Sequence, residues 1–291
     1  MSDLWTVISL LGWAAPYLEK HGVATPRLDA ELLLARVLAC RRLDLYLHHD
    51  RPLSADELAA FKKLLLRRRQ REPIAHILGE REFWSLPFMV SPDVLVPRPE
   101  TEHLVEAAAE ILTDYYPDGG SVVDFGTGSG AIVLALANQF KEKQWYSWLG
   151  IDLSSKAVAV AKENARRLDL PQVRFAVADL RQIKPAAGET WDVVLANPPY
   201  IPTADLSSLS PEVCREPRAA LDGGQDGLDY YRALSRRAAE LLGGCGFMIV
   251  EVGDRQAAAV LALLAEQHPA ALYTKRDLRG IERVVVGRWT P

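Results

Sequence analysis

Between residues 121 and 289 the chain alternates short, near-continuous apolar runs with segments of helical periodicity. SVVDFG (121–126), WYSWLGID (145–152), VRFAVAD (173–179), WDVVLAN (191–197) and FMIVEVG (247–253) read as strands. SGAIVLALANQF (129–140), SSKAVAVAKENARRL (154–168), LDYYRALSRRAAELL (228–242) and residues 255–267 read as the helices between them. ALYTKRDL (271–278) and ERVVVGRW (282–289) read as a closing antiparallel pair. Strands this continuously apolar are buried on both faces, and strict strand–helix alternation builds a parallel sheet with helices on both sides. That pattern places any ligand site at the carboxyl ends of the strands.

The rest of the chain is of another kind. Residues 1–72 read as helical: Thr25 offers a capping hydroxyl before Pro26, and Leu28, Leu32, Ala35 and Ala39 share one face. Ser54-Ala-Asp-Glu57 is a capping box ahead of Leu58, Phe61 and Leu65. The basic run KKLLLRRRQRE (62–72) fits a solvated face at a helix C-terminus, or a contact with an acidic partner or ribosomal RNA. Residues 73–96, with Gly79 as a turn between aromatics, read as a hairpin linker, so the large domain is expected over 97–291.

Bulk properties narrow the function classes. A net charge of −4 over 291 residues is not that of a polyanion binder. Cys40, Cys214 and Cys245 form no CxxC pair and the six histidines are scattered, so neither a disulfide framework nor a metal site is expected. No apolar run reaches the roughly 18 residues of a membrane helix, and the acidic start lacks a signal peptide's basic region. A cytoplasmic protein is expected.

VVDFGTGSGAI sets Gly126, Gly128 and Gly130 between a strand and a helix, where backbone can approach a ligand and free N–H groups point at it. The spacing is not that of the dinucleotide fingerprint. Asp152, at the end of the second strand, can accept both ribose hydroxyls of an adenosine group, and Asp179, at the end of the third, can reach an adenine amine. Asp124 either joins them or only orders the glycine loop.

The fourth strand ends in Asn197-Pro198-Pro199-Tyr200. Each proline restricts the residue before it. The Asn197 side-chain oxygen and the Pro198 carbonyl form a stiff pair of acceptors for one planar –NH2, with Tyr200 placed to pack on the substrate. An amide nitrogen is a poor nucleophile because its lone pair is delocalised. Fixed acceptors can aim that lone pair and stabilise the charge it gains on attacking a methyl group. In VPRPETE (96–102), Arg98 and Glu100 either form a rigid helix entry or brace the substrate and cofactor loop.

On these residues the chain resembles the class I S-adenosylmethionine-dependent methyltransferases with an NPPY motif, and more narrowly the PrmC/HemK family of release factor glutamine N5-methyltransferases. REPIAHILGEREFWSLPFMVSPDVLVPRPETEHLVE (71–106), REPRAALDGGQDGLDYYR (215–232) and RDLRGIERVVVGR (276–288) carry the narrower likeness. The resemblance implies a Rossmann-like, seven-stranded, mostly parallel sheet with an antiparallel last strand and a small helical N-terminal domain for substrate recognition. It implies S-adenosylmethionine held by Asp124, Gly126, Thr127, Gly128, Ser129, Gly130, Asp152, Asp179, Leu180 and Asn197, with S-adenosylhomocysteine as product. Leu180 stands where some relatives carry an aromatic, and Phe125 is expected to point into the core. The substrate would be the glutamine of the Gly-Gly-Gln loop of class 1 peptide chain release factors, bound by Asn197, Pro198, Pro199, Tyr200, Arg98 and Glu100. Asn197, Pro198 and Tyr200 would carry the chemistry. Ribosomal-protein glutamine and adenine N6 are the competing targets. The loop 201–227, with five acids and two arginines, argues against direct nucleic-acid binding. A monomer acting on a protein partner is expected.

Overall fold

The structure is a computed structural model that describes residues 4–143, 145–182, 190–243 and 245–290. Residues 1–3 of the expected helical region therefore lie outside the described residues. The chain divides into two units. One runs through Gly79 and takes in Ser210–Arg215; the other comprises Glu80–Leu209 and the chain from Glu216 onward.

The first unit holds α1 (Val7–Lys20), α2 (Pro26–Leu38), α3 (Arg42–Leu47), α4 (Ala55–Arg69) and α5 (Ile74–Leu78) around a core that includes Leu11, Leu18, Leu33, Leu34 and Phe61. Ser54 caps α4 reciprocally with Glu57, as expected. Thr25 does not cap α2: its hydroxyl donates to the Asp29 carboxylate at 2.9 Å instead. Lys62, Lys63 and Arg69 of the basic run lie on the expected exposed face, but its other arginines are paired with acids. Arg67 pairs with Glu72, and Arg71 with Glu212. Arg68, 6% exposed at its side chain, bridges the buried Asp29 at 2.6 Å and Glu212 at 2.9 Å. A carboxylate as buried as Asp29 needs a paired cation, and the run supplies it.

The expected linker, 73–96, divides. Its first part is α5, closed by Gly79 in the left-handed region, φ +76°. Its second part is an antiparallel hairpin in the other unit, β1 (Glu80–Phe83) and β2 (Leu86–Met89). Trp84 and Ser85 turn it with φ of +52° and +58°. Positive φ at both turn positions matches the strand twist, although neither residue is the usual glycine or asparagine. The Trp84 N–H donates to Glu102 at 2.9 Å and holds the turn in place.

The rest of the second unit is α6 (Glu102–Tyr115), β3 (Ser121–Phe125), α7 (Ala131–Gln139), β4 (Ser147–Asp152), α8 (Ser155–Arg167), β5 (Val173–Val177), β6 (Val193–Ala196), α9 (Asp229–Leu242), β7 (Gly246–Glu251), α10 (Ala257–Ala265), β8 (Ala271–Arg276) and β9 (Glu282–Trp289). The seven strands β3 to β9 form one sheet in the order β5-β4-β3-β6-β7-β9-β8. β3 to β7 are parallel, and β9 runs antiparallel between β7 and β8. This is the expected α/β architecture. Successive residues of a strand face opposite sides, so each strand feeds both cores. Val122, Leu195 and Ile249 join Leu104, Leu112 and Leu134 on one side. Val123, Phe125, Val194 and Met248 join Leu234, Leu241 and Val260 on the other.

Strand order reverses between β3 and β6, which opens a cleft at their carboxyl ends. β3, β5 and β6 end one or two residues short of the expected runs, which leaves Gly126, Asp179 and Asn197 in the loops that border that cleft.

Candidate active site

A cavity of about 280 Å³ occupies the cleft, lined by Gly126, Gly128, Asp152, Asp179, Leu180, Asn197, Pro198 and Pro199 among others. All of its lining belongs to the second unit.

Between β3 and α7, Gly126, Gly128 and Gly130 all adopt left-handed φ, at +72°, +55° and +80°. A Cβ on Gly126 or Gly128 would find nothing nearer than 3.9 Å, so both present bare backbone to open space that a ligand can fill. Gly130 serves packing: its Cβ would stand 2.8 Å from the Leu134 side chain. Asp152 accepts from the Gly128 N–H at 2.9 Å through one oxygen and from the Ser154 N–H at 2.8 Å through the other. The carboxylate is thereby fixed at the cavity edge, and each oxygen keeps lone-pair capacity for a ribose hydroxyl.

Asp124 lies beneath the loop and does not line the cavity. It is fully buried; one oxygen accepts from the Thr127 hydroxyl at 2.7 Å and the other has no partner among the described residues. Burial pushes its carboxyl up to about 7, against the Thr127 bond and with added repulsion from Asp152. Of its two readings, the geometry matches the one in which Asp124 orders the loop. Thr127, Ser129 and Gly130 likewise shape the loop from behind. Asn164, wholly buried on α8, bonds the Ser129 carbonyl at 2.8 Å and the Met89 backbone N–H and C=O at 2.7 and 3.0 Å, so it ties the glycine loop to the hairpin. An amide among the apolar positions of α8 was its sequence signal.

Asp179 lines the cavity, but its carboxylate is clasped by Arg181 at 2.7 Å, which holds its pKa below the usual range. An adenine amine would share that carboxylate with Arg181. Leu180 stands beside it, and the Arg181 guanidinium lies 5.9 Å from the Tyr230 ring. Sequence reasoning assigned no role to the wall formed by Pro92–Leu95, Pro217, Ala219, Ala220 and Tyr230, although these residues fall inside the stretches that carried the family likeness.

The Asn197 Nδ2 donates to the Thr101 hydroxyl at 3.1 Å, behind the cavity wall. The following residues are clamped from several sides. Ile201 donates to the Leu221 carbonyl at 3.0 Å and accepts from the Gly223 N–H at 2.9 Å. The Gln256 Nε2 donates to the Tyr200 carbonyl at 2.9 Å, while its Oε1 accepts from the Gly253 N–H at 3.1 Å. A Cβ on Gly223 would fall 2.7 Å from the Pro199 carbonyl oxygen, and one on Gly253 2.9 Å from the Tyr200 ring. Only glycine admits so close an approach. Tyr200 itself is not part of the cavity lining; its ring packs on the core, and burial pushes its phenol up to about 12. Arg98 and Glu100 do not line the cavity either. Arg98 pairs with the buried Glu216, which also accepts from the Val96 N–H at 3.0 Å, so the two proline-rich stretches are pinned together.

Comparison with known proteins gives the family and the fold. The profile of the PrmC N-terminal domain matches residues 9–79, and that of a methyltransferase domain matches residues 122–216. Release factor glutamine methyltransferases from Geobacter sulfurreducens and Rhodospirillum rubrum are each 42% identical to this chain, over 98% and 96% of it and 98% and 84% of their own lengths. The Caulobacter vibrioides protein of the same name is 38% identical over 98% of both chains. Two solved structures share the fold: the hMettl16 catalytic domain in complex with a MAT2A 3′UTR hairpin (TM-score 0.56, 14% identity, covering 84% of this chain and 86% of that one) and a methyltransferase from Pyrococcus furiosus (TM-score 0.52, 15% identity, covering 76% and 98%). The chain belongs to the release factor glutamine methyltransferase family.

Proposed function

We propose that this chain transfers a methyl group from S-adenosylmethionine to the N5 side-chain nitrogen of the glutamine in the Gly-Gly-Gln loop of class 1 peptide chain release factors. The observation that carries this reading is the posture of Asn197. Its amide nitrogen is turned inward to Thr101, so its carbonyl oxygen is left for a substrate –NH2 at the edge of the cavity.

Gly126, Gly128 and Asp152 hold the cofactor, with the Gly128 N–H and the Ser154 N–H fixing the Asp152 carboxylate that takes the ribose. Leu180 covers the adenine by apolar contact. The bound cofactor supplies an electrophilic methyl group on a sulfonium. Asn197 Oδ1 and the Pro198 carbonyl each accept one hydrogen of the substrate amide and so aim its lone pair. A substrate nitrogen taking that methyl group, with the C–S bond of the donor broken, would turn pyramidal and gain positive charge, which the same two acceptors would stabilise. The cationic N-methyl amide would then lose its proton to water, with S-adenosylhomocysteine as the second product. The prolines hold the acceptors rigid, and Tyr200, clamped through its carbonyl by Gln256, holds the segment from behind.

The protein works in the cytoplasm as a monomer, with the helical first unit choosing the release factor. Among the described residues no helix is long and apolar enough to cross a membrane. The experiment is incubation with methyl-labelled S-adenosylmethionine and a release factor, the same factor with its loop Gln→Ala, a ribosomal protein fraction, or duplex DNA. Label should appear on the first alone. Label on DNA or ribosomal protein, or undiminished label on the substituted factor, overturns the reading.

A further inference from the structure

Behind Asn197 lies a carboxylate that the reaction described above does not use. Glu251 is the last residue of β7, the strand beside β6, and is 2% exposed. It lies within hydrogen-bonding reach of the Thr101 hydroxyl and of the Asn197 side chain. Its Oε2 has no hydrogen-bond partner among the described residues. The Tyr231 phenol bonds only the Glu251 main-chain carbonyl, at 2.7 Å, and so fixes the backbone without satisfying the carboxylate. Burying a carboxylate without full pairing is costly, and burial is the main reason why its pKa rises to about 7.

We infer that Glu251 is a positioning residue for methyl transfer: its ionised carboxylate sorts the donors around it so that Asn197 presents its carbonyl oxygen, and not its –NH2, to the substrate amide. This rests on the proposed role of Asn197. An ionised carboxylate only accepts. Thr101 must then donate its hydroxyl hydrogen to Glu251, and its oxygen is left to accept from the Asn197 Nδ2, as observed at 3.1 Å. The Asn197 –NH2 is thereby committed inward and Oδ1 outward. A protonated or amidated residue 251 can donate. Thr101 then turns and gives its hydrogen to Asn197 Oδ1, and the side chain flips to show the substrate two donors where it needs an acceptor.

Every element packed against Glu251 bears on this switch. Glu100, just ahead of α6, opposes ionisation; Arg283 on β9 favours it, as do Thr101 and Asn197. Burial, and after it the Glu251 charge, raises the pKa of Tyr200 and Tyr231, so both phenols remain neutral donors over the working range.

The test is steady-state methylation of a release factor by the full chain between pH 5.5 and 8.5, with cofactor affinity measured separately by calorimetry. The wild type should lose kcat as pH falls through about 7. Glu251→Gln should lose that acid limb and about 10–100-fold in kcat, as expected for a misaimed acceptor, with cofactor Kd within about two-fold. Thr101→Val removes the relay without touching the carboxylate and should lower kcat in the same way, and Thr101→Ser should restore most of it. This pair decides the matter should Glu251→Gln fail to fold. Wild-type kcat with an unchanged pH profile in Glu251→Gln, or in Thr101→Val, overturns the inference while Asn197→Ala is inactive. If Asn197→Ala is itself active, the reading of Asn197 falls and the inference with it.

Discussion

The two halves of the cleft solve the same problem with different parts. Each has a strand end, a buried carboxyl pushed up to about 7, and a threonine hydroxyl beside it: Asp124 with Thr127 under the glycine loop, and Glu251 with Thr101 under Asn197. On the proposed cofactor side the surface offered to a ligand is backbone, the bare peptide of Gly126 and Gly128. On the proposed substrate side it is a side-chain amide, that of Asn197. Backbone cannot flip its polarity and a carboxamide can. The cofactor side should therefore fail in affinity when damaged, and the substrate side in turnover.

The largest expected effect is the sharpest test of that division. Asn197→Ala should lower kcat by on the order of 10³-fold, the scale of losing a principal preorganised contact to developing charge, with cofactor affinity by calorimetry little changed. Equal losses in both would erase the distinction between the halves. Asp152→Ala should do the reverse. The proposed binding mode would then lose two charge-assisted hydrogen bonds to ribose, so cofactor Kd should rise about 100-fold while kcat at saturating cofactor stays within a few-fold. Gly128→Ala puts a Cβ into the cavity and a non-glycine residue at left-handed φ, which costs about 1–2 kcal/mol and should weaken cofactor binding by about 10-fold.

The smallest effect concerns stability. Asp124 has a folded-state pKa raised to about 7, so its stabilising contribution is complete below its unfolded pKa and is lost as pH rises through about 7. Glu251 acts in the same direction over the same window. The ligand-free protein should melt a few degrees lower at pH 8 than at pH 5.5, and Asp124→Asn should flatten that slope. A slope unchanged in Asp124→Asn would mean that the carboxyl is not neutral under its loop.

Much of this was legible in the sequence. Strand–helix alternation foretold the sheet, and the strand-end residues Gly126, Gly128, Asp152 and Asn197 do meet at one cavity. Local reading failed where a residue's partner is remote. Thr25 has the sequence of a cap but serves Asp29, and the basic run meets the buried Asp29 and the distant Glu212. The hairpin turn at Trp84-Ser85 lacks turn residues because Glu102 holds it from another element. Asp179 does border the cavity, two residues beyond the end of β5, but nothing in the motif revealed that Arg181 would occupy it.

The sequence by itself determined which strands are buried on both faces, where glycine must sit, and which nitrogen chemistry the NPPY segment suits. These depend on the properties of consecutive residues. Only the tertiary structure decided how that segment is aimed. Thr101 stands 96 positions from Asn197, and Glu251 and Gln256 lie on and beyond a strand formed later in the chain. They meet because parallel pairing sets β7 beside β6 and brings the start of α6 over the same sheet edge. Hydrogen bonds between remote side chains depend on that register, and no local pattern of residues encodes it.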